Sequence, residues 1–256
     1  MVITILSLVL GFLMTLGGLT PNIANGMLQS KLDQTLNHPE YLRVKVHPEA
    51  PAFTLLNGQM AYLEVDARHF SLSEFPIESL ALRVDRLNVD TGALQLRQPT
   101  QGVLRLRITE TGINRFLQPD IFKVMLENLL KKQELLASLG ADLTIQGLDL
   151  QKGRLVLSGR ANTMGGFFTI PFEVSSGFRL GSERTLVATG TQAVTLEQPV
   201  SADVIQSILK EINPVIDLSK QFSTPDMQFY FRELHLLDDA IELVAEAEVK
   251  QLPNAD

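Results

Sequence analysis

The sequence predicts an α+β fold in which antiparallel strands present one dry and one wet face and amphipathic helices cover the dry side. Three observations carry this. Leu42-Arg43-Val44-Lys45-Val46-His47, Leu80-Ala81-Leu82-Arg83-Val84-Asp85 and Leu104-Arg105-Leu106-Arg107-Ile108 place apolar residues at every second position. That period fits a half-buried strand and favours antiparallel pairing. Leu28, Leu32 and Leu36 recur at helical spacing, with Gln29, Lys31 and Asp33 between them. Two more helical stripes follow, one through Phe122, Met125, Leu126, Leu129 and Leu130, the other through Val204, Ile205, Ile208, Leu209 and Ile212.

Taken in order, the chain opens on an apolar run. No charged side chain precedes Lys31, and Val2 to Leu19 is apolar but for Thr4, Ser7, Thr15 and three glycines. Eighteen helical residues span about 27 Å, close to the hydrocarbon thickness of a bilayer. Three readings fit residues 1–20: a membrane anchor, a signal peptide, or a buried helix. The signal-peptide marks are poor, since no Lys or Arg precedes the run and Asn22-Ile23-Ala24 is not a small-x-small site. The run predicts a membrane-associated or exported protein, on the envelope, periplasmic or lumenal side.

Thr20-Pro21-Asn22 ends that run and Asn37-His38-Pro39 ends the next helix. Strands then follow, with Asn57-Gly58 and Thr91-Gly92 as turns. Thr109 caps a short helix to Leu117, and Pro119 starts a longer one that Gly140 ends. Leu143/Ile145, Leu148/Leu150 and Leu155/Leu157 read as strands. Residues 165–172 are apolar on both faces and predict a buried strand, with Pro171 at an edge or bulge. A helix over 201–218 starts at Ser201 and is kinked at Pro214. A strand pair closes the chain, with Ile241, Leu243, Ala245, Ala247 and Val249 alternating with glutamates.

The apolar pattern of 109–161 repeats weakly in 195–247, at an offset of 86 positions. No Pro/Gly/Ser-rich linker divides residues 21–256, which predicts one α+β domain.

Composition narrows the chemistry. The 256 residues include no Cys, which excludes disulfides, thiolate metal sites and cysteine catalysis. A net charge of −7 argues against general nucleic-acid binding. The acidity lies late: residues 186–256 hold four basic and twelve acidic residues. The four histidines are dispersed, and no H-E-x-x-H, P-loop, G-x-G-x-x-G or G-x-S-x-G occurs. No cofactor, metal site or catalytic group is expected. Apolar stripes line a solid core and a lipid cavity with the same residue types.

Four stretches together resemble the LmeA-like phospholipid-binding family, in its cyanobacterial-type branch: Leu55-Leu56-Asn57-Gly58-Gln59-Met60; Ile77 to Leu82 with Val84-Asp85; Arg107 to Leu117; and Ile170-Pro171-Phe172 with Gly177. The likeness covers about residues 22–250. It departs at Gly112, where an acidic residue is common, and so predicts a weakened capping box at Thr109. The resemblance implies a strongly curved antiparallel sheet wrapped around long helices, as in tubular lipid-binding domains. It also implies a non-enzymatic protein that binds or transfers phospholipid or another acyl lipid at a membrane, with no protein partner indicated. Phe116, Phe122, Met125, Leu126, Leu129, Phe167, Phe168, Ile208 and Ile212 are the expected lining, and Arg105, Arg107, Arg115, Lys131 and Lys132 the expected phosphate contacts. The competing reading is a membrane-anchored structural or assembly factor with a solid core.

Overall fold

The computed structural model describes residues 21–49, 58–72, 75–90, 95–117, 142–151, 153–163, 168–221, 223–224 and 226–250. The first described element is helix α1 (Pro21–Thr35). Strands β1 (Tyr41–Pro48), β2 (Gln59–Leu72), β3 (Phe75–Asp90), β4 (Gln95–Leu96) and β5 (Thr100–Thr109) follow, then helix α2 (Glu110–Phe116). Next come β6 (Asp142–Gln151), β7 (Arg154–Thr163), β8 (Phe168–Ser182), β9 (Thr185–Thr195) and β10 (Gln198–Pro199). Helix α3 (Ala202–Ile212), β11 (Ile216–Asp217), helix α4 (Leu218–Gln221), β12 (Met227–Leu236) and β13 (Ala240–Val249) are the last of the described elements.

The strands form two sheets, and every pairing is antiparallel. The first runs β1-β2-β3-β5-β13-β12, with β4 on β3; the second runs β10-β9-β8-β7-β6, with β11 on β9. The expected antiparallel sheet is present, but the wrapped architecture needs correction. The described residues are mostly β, in two open sheets rather than one strongly curved sheet, and their helices run 4 to 15 residues. Fifteen residues reach only about 22 Å, too short to serve as an axis for both sheets. The expected helix over 119–139 lies outside the described residues.

The inner face of the first sheet is a solid core. Leu28, Leu32 and Leu36 of α1 are fully buried on it, as their spacing predicts. Burying each contributes about 1.5–3 kcal/mol. They pack with Val44, Val65, Leu82, Leu104 and Phe229 among others. The long β2–β3 hairpin keeps this face dry by slipping the alternation twice. Ala61-Tyr62 opposite Asp85-Arg86, and Arg68-His69 opposite Ser79-Glu78, are adjacent pairs with neither residue fully buried. His69 and Arg86 have left-handed backbones, φ 49 and φ 50, at these two places. Each slip returns the next apolar residue to the inner side; strict alternation over the twisted hairpin would not.

Side chains complete three exposed strands. Asn25 accepts from the Val46 amide at 2.7 Å and Gln29 donates to the Leu42 carbonyl at 3.1 Å, closing β1 with α1. Asn114 of α2 accepts from the Leu148 amide at 2.7 Å and donates to its carbonyl at 2.6 Å, and Glu110 accepts from the Leu150 amide at 2.8 Å. Asn213 does the same for Ala188 on β9, at 2.9 and 3.2 Å. Each side chain bonds strand backbone groups that no described strand pairs on that side, on the outer side of β6 and, on β9, between its β11 and β10 pairings, which blunts a stretch that would otherwise template aggregation.

Two further expectations are corrected. The helix expected over 201–218 ends at Ile212 instead of continuing through a kink: Asn213 is extended, the Asn213–Pro214 bond is cis, and β11 follows. Proline's missing N–H and fixed φ end the helix there. Residues 168–172 open β8, where Pro171 is exposed and Phe172 half-buried, so the segment is not a fully buried strand. β8 outruns β9 here, since Phe172 pairs with Thr195, the last residue of β9. Pro171 therefore meets no strand on that side and removes no ladder bond.

Candidate lipid-binding face

The two sheets differ in how their inner faces are covered. On the second sheet, register places Ile145, Leu157, Ile170, Phe172, Val174 and Phe178 on one face. All six are half-buried; Leu148, Leu150, Gly159, Ser176 and Ala188 on the same face are buried. The opposite face carries Thr144, Asp149, Arg160, Glu173 and Ser175. Leu180 and Leu186, at the far end of the apolar face, pack against the first sheet's core, so the two dry surfaces join. Gly159 sits directly opposite Phe172. A Cβ at Gly159 would lie 2.6 Å from the Phe172 ring and 2.6 Å from the Thr144 carbonyl. The absent side chain lets the ring lie across the sheet and keeps the face smooth.

Helix α2 ties this sheet to the first. The Thr109 hydroxyl accepts from the Gly112 amide at 3.1 Å, so the helix starts where expected even without an acidic residue at 112. Space explains the glycine: a Cβ there would meet Thr109 Oγ1 at 3.2 Å and the Pro76 carbonyl at 3.3 Å. Glu110 and Asn114 then reach across to β6. Much of the Arg107–Leu117 stretch therefore acts as a junction between sheets.

The turn between β8 and β9 makes the second junction. The Glu183 carbonyl accepts from the Phe231 amide at 2.6 Å. The Arg184 guanidinium lies 4.7 Å from the Tyr230 ring centre and donates to Gln228 and Tyr230, at 2.6 and 2.9 Å. Arg232 pairs with Glu246 and Glu183, both at 2.7 Å. Its charge is held further by the Glu246 hydrogen bond, which raises its pKa against the opposing effect of burial.

Those of the expected site residues that are described do not form one cluster. Phe116 on α2 meets Phe75 edge to face, centroids 4.8 Å apart. Phe168 opens β8 opposite Thr163, and Ile208 and Ile212 lie on α3. Phe122, Met125, Leu126, Leu129, Phe167, Lys131 and Lys132 lie outside the described residues. Arg105 and Arg107 stand on the outer face of the first sheet. Arg107 is engaged there by Glu242 at 2.7 Å and Asp239 at 3.2 Å. Arg115 instead lines a cavity of about 570 Å³ with Asn37, Glu40, His69, Glu78 and Thr111. His69 sits between two carboxylates in that cavity, 3.0 Å from Glu40 and 3.0 Å from Glu78. Val174 and Phe178, which share the apolar face of the second sheet, are not among the expected lining residues; their alternation across Ser175 to Gly177 was the available signal.

Among the described residues, no three His, Asp or Glu side chains are grouped so as to hold a metal ion. No helix among them is long and apolar enough to cross a membrane. Comparison with curated proteins and with solved structures gives no match. Comparison with protein families matches residues 16–246 to the one described as LmeA-like phospholipid-binding. That match covers most of the chain, in agreement with the resemblance of its four sequence stretches, and the protein belongs to the LmeA-like phospholipid-binding family.

Proposed function

We propose that the protein binds phospholipid without catalysing a reaction, with the acyl chains lying on the inner face of the second sheet. The observation that carries this is the contrast between two inner faces of similar composition. One is filled by α1, whose three leucines are fully buried; the other keeps Ile170, Phe172 and Val174 half-buried. Burying apolar surface at about 25 cal/mol per Å² favours an acyl chain on the second face and offers none on the first. Arg115 is the basic residue best placed for a phosphate. It is exposed in the last turn of α2, which joins this face to the first sheet, and has no ion-pair partner among the described residues. The apolar run over 2–19 supports a membrane-associated or exported location.

Uptake of a fluorescent phospholipid from vesicles tests the reading. Val174→Asp puts a carboxylate on the apolar face and abolishes uptake. Glu173→Gln, on the opposite face, leaves it intact. Equal uptake by both variants refutes the assignment of this face. The structural-factor reading draws on the packed first sheet and predicts no uptake by the unaltered chain.

A further inference from the structure

A lipid that leaves a bilayer must cross water unless its carrier touches the membrane. We infer that the β9–β10 hairpin tip, with Leu196 at its apex, docks on a bilayer whose headgroups carry no net charge. The inference rests on the phospholipid-binding reading and names the surface that reading requires.

Leu196 and Glu197 form a two-residue connection, since Thr195 pairs with Gln198 on either side of them. Both are left-handed, φ 48 and φ 63. A connection of this kind is ordinarily Asn-Gly or Asp-Gly, because a Cβ disfavours the left-handed region. Here it carries a leucine, and that leucine is 62% exposed. The turn thus combines an unfavourable backbone with an unfavourable exposure, and neither helps folding. Such local cost is a mark of function rather than of packing.

The leucine has apolar company. Val194 on β9 and Val204 on α3 are also exposed, at 37% and 44%. Val194, Pro199, Val200, Ala202 and Ile205 line a groove of about 410 Å³ between the hairpin and α3. The tip also stands at the Phe172 end of the apolar face, because Thr195 is the register partner of Phe172. Docking there would bring the bilayer against the end of the sheet that is to receive the acyl chains.

Charge selects the kind of membrane. No Lys or Arg occurs from Leu186 to Leu209, while Glu197 stands at the tip and Asp203 in the first turn of α3. Glu173 is the register partner of Val194. Arg160, the register partner of Pro171, is a single exposed cation against these three carboxylates, so anionic headgroups are disfavoured and attachment depends on burying apolar side chains among neutral headgroups.

The absence of Cys makes a clean test possible. Leu196→Cys in the full chain, labelled with an environment-sensitive dye, is mixed with phosphatidylcholine vesicles. The expected result is a blue shift and a severalfold rise in emission, not enhanced by adding phosphatidylglycerol. Val103→Cys, 44% exposed on the first sheet's outer face, carries the same dye and does not respond. Leu196→Asn suits the left-handed backbone better, so it keeps or raises the melting temperature while a dye at Val204→Cys loses its response. A Leu196 dye that stays in water on vesicle-bound protein overturns the inference. So does a response only to anionic vesicles, or one that follows protein concentration without vesicles, which marks contact with a second copy. A docking response without phospholipid uptake refutes the carrier reading alone, and uptake without a docking response refutes the tip alone.

Discussion

Asn114→Ala isolates the junction between the sheets. The side chain makes two hydrogen bonds to one residue of β6, at 2.6 Å to the Leu148 carbonyl and 2.7 Å from its amide. Leu148 is 8% exposed, so water replaces these bonds poorly. Two net hydrogen bonds contribute about 1–3 kcal/mol together, and the unpaired groups left behind push the loss toward the upper end. For a chain of this size ~2 kcal/mol lowers the melting temperature by about 4–8 °C. Asn114→Asp adds a sharper comparison. Its carboxylate still accepts from the amide but opposes the carbonyl, so it restores less than half of the loss at neutral pH. Urea denaturation followed by circular dichroism measures both variants, and hydrogen exchange at the Leu148 amide reports the site directly. An Asn114→Ala protein as stable as the unaltered chain, with unchanged Leu148 exchange, would refute the edge-completion argument.

Other outcomes follow from the same structure. Leu32→Ala removes a fully buried side chain between α1 and the first sheet and costs about 2–5 kcal/mol in urea denaturation. Gly159→Ala forces a Cβ to within 2.6 Å of both a backbone carbonyl and the Phe172 ring; it destabilises by about 1–3 kcal/mol and lowers phospholipid uptake along with it. Arg107→Ala breaks a surface pair and costs under about 1 kcal/mol, a difference that shrinks in high salt. The Asp217 carboxylate is held below the usual range, chiefly by the Ser219 hydroxyl. Its stabilising contribution is therefore present above the ordinary aspartate pKa and is lost as pH falls through the lowered value. Asp217→Asn removes that part of the acid sensitivity in a melting-temperature series.

Period-two and period-3.6 patterns made much of this fold readable. The α1 leucines, the β1 alternation and the closing β12–β13 pair all lie where the sequence predicts them, because each buries one face against a single surface. What escaped is non-local. Nothing in one chain tells that Asn114 and Asn213 will each complete a strand edge, since their partners are backbone groups 34 and 25 positions away. The β2–β3 hairpin hides its slips at His69 and Arg86 for the same reason: a left-handed histidine or arginine has no compositional mark. Leu196-Glu197 is likewise not a turn dipeptide by composition. The β6–β7 and β12–β13 hairpins share one further feature. Register shifts between Ile145 and Gly147 and between Phe231 and Glu233, 86 positions apart, so the weak sequence repeat coincides with matched strand pairing.

The site was less legible than the fold. Apolar residues mark a solid core and an acyl surface alike, and only burial separates Leu63, fully covered in the first sheet, from Val174, half-covered in the second. Two of the expected basic contacts lie in different electrostatic surroundings. Arg107 is neutralised by two carboxylates on the outer face, whereas Arg115 meets no carboxylate within ion-pair distance among the described residues.

Native mass spectrometry of the full chain, extracted in mild detergent, reads bound phospholipid on the protein itself. The expected spectrum shows protein carrying non-covalent adducts with phospholipid masses, which Val174→Asp removes. A spectrum of bare protein alone, from a chain that also takes up no fluorescent phospholipid, would contradict phospholipid binding.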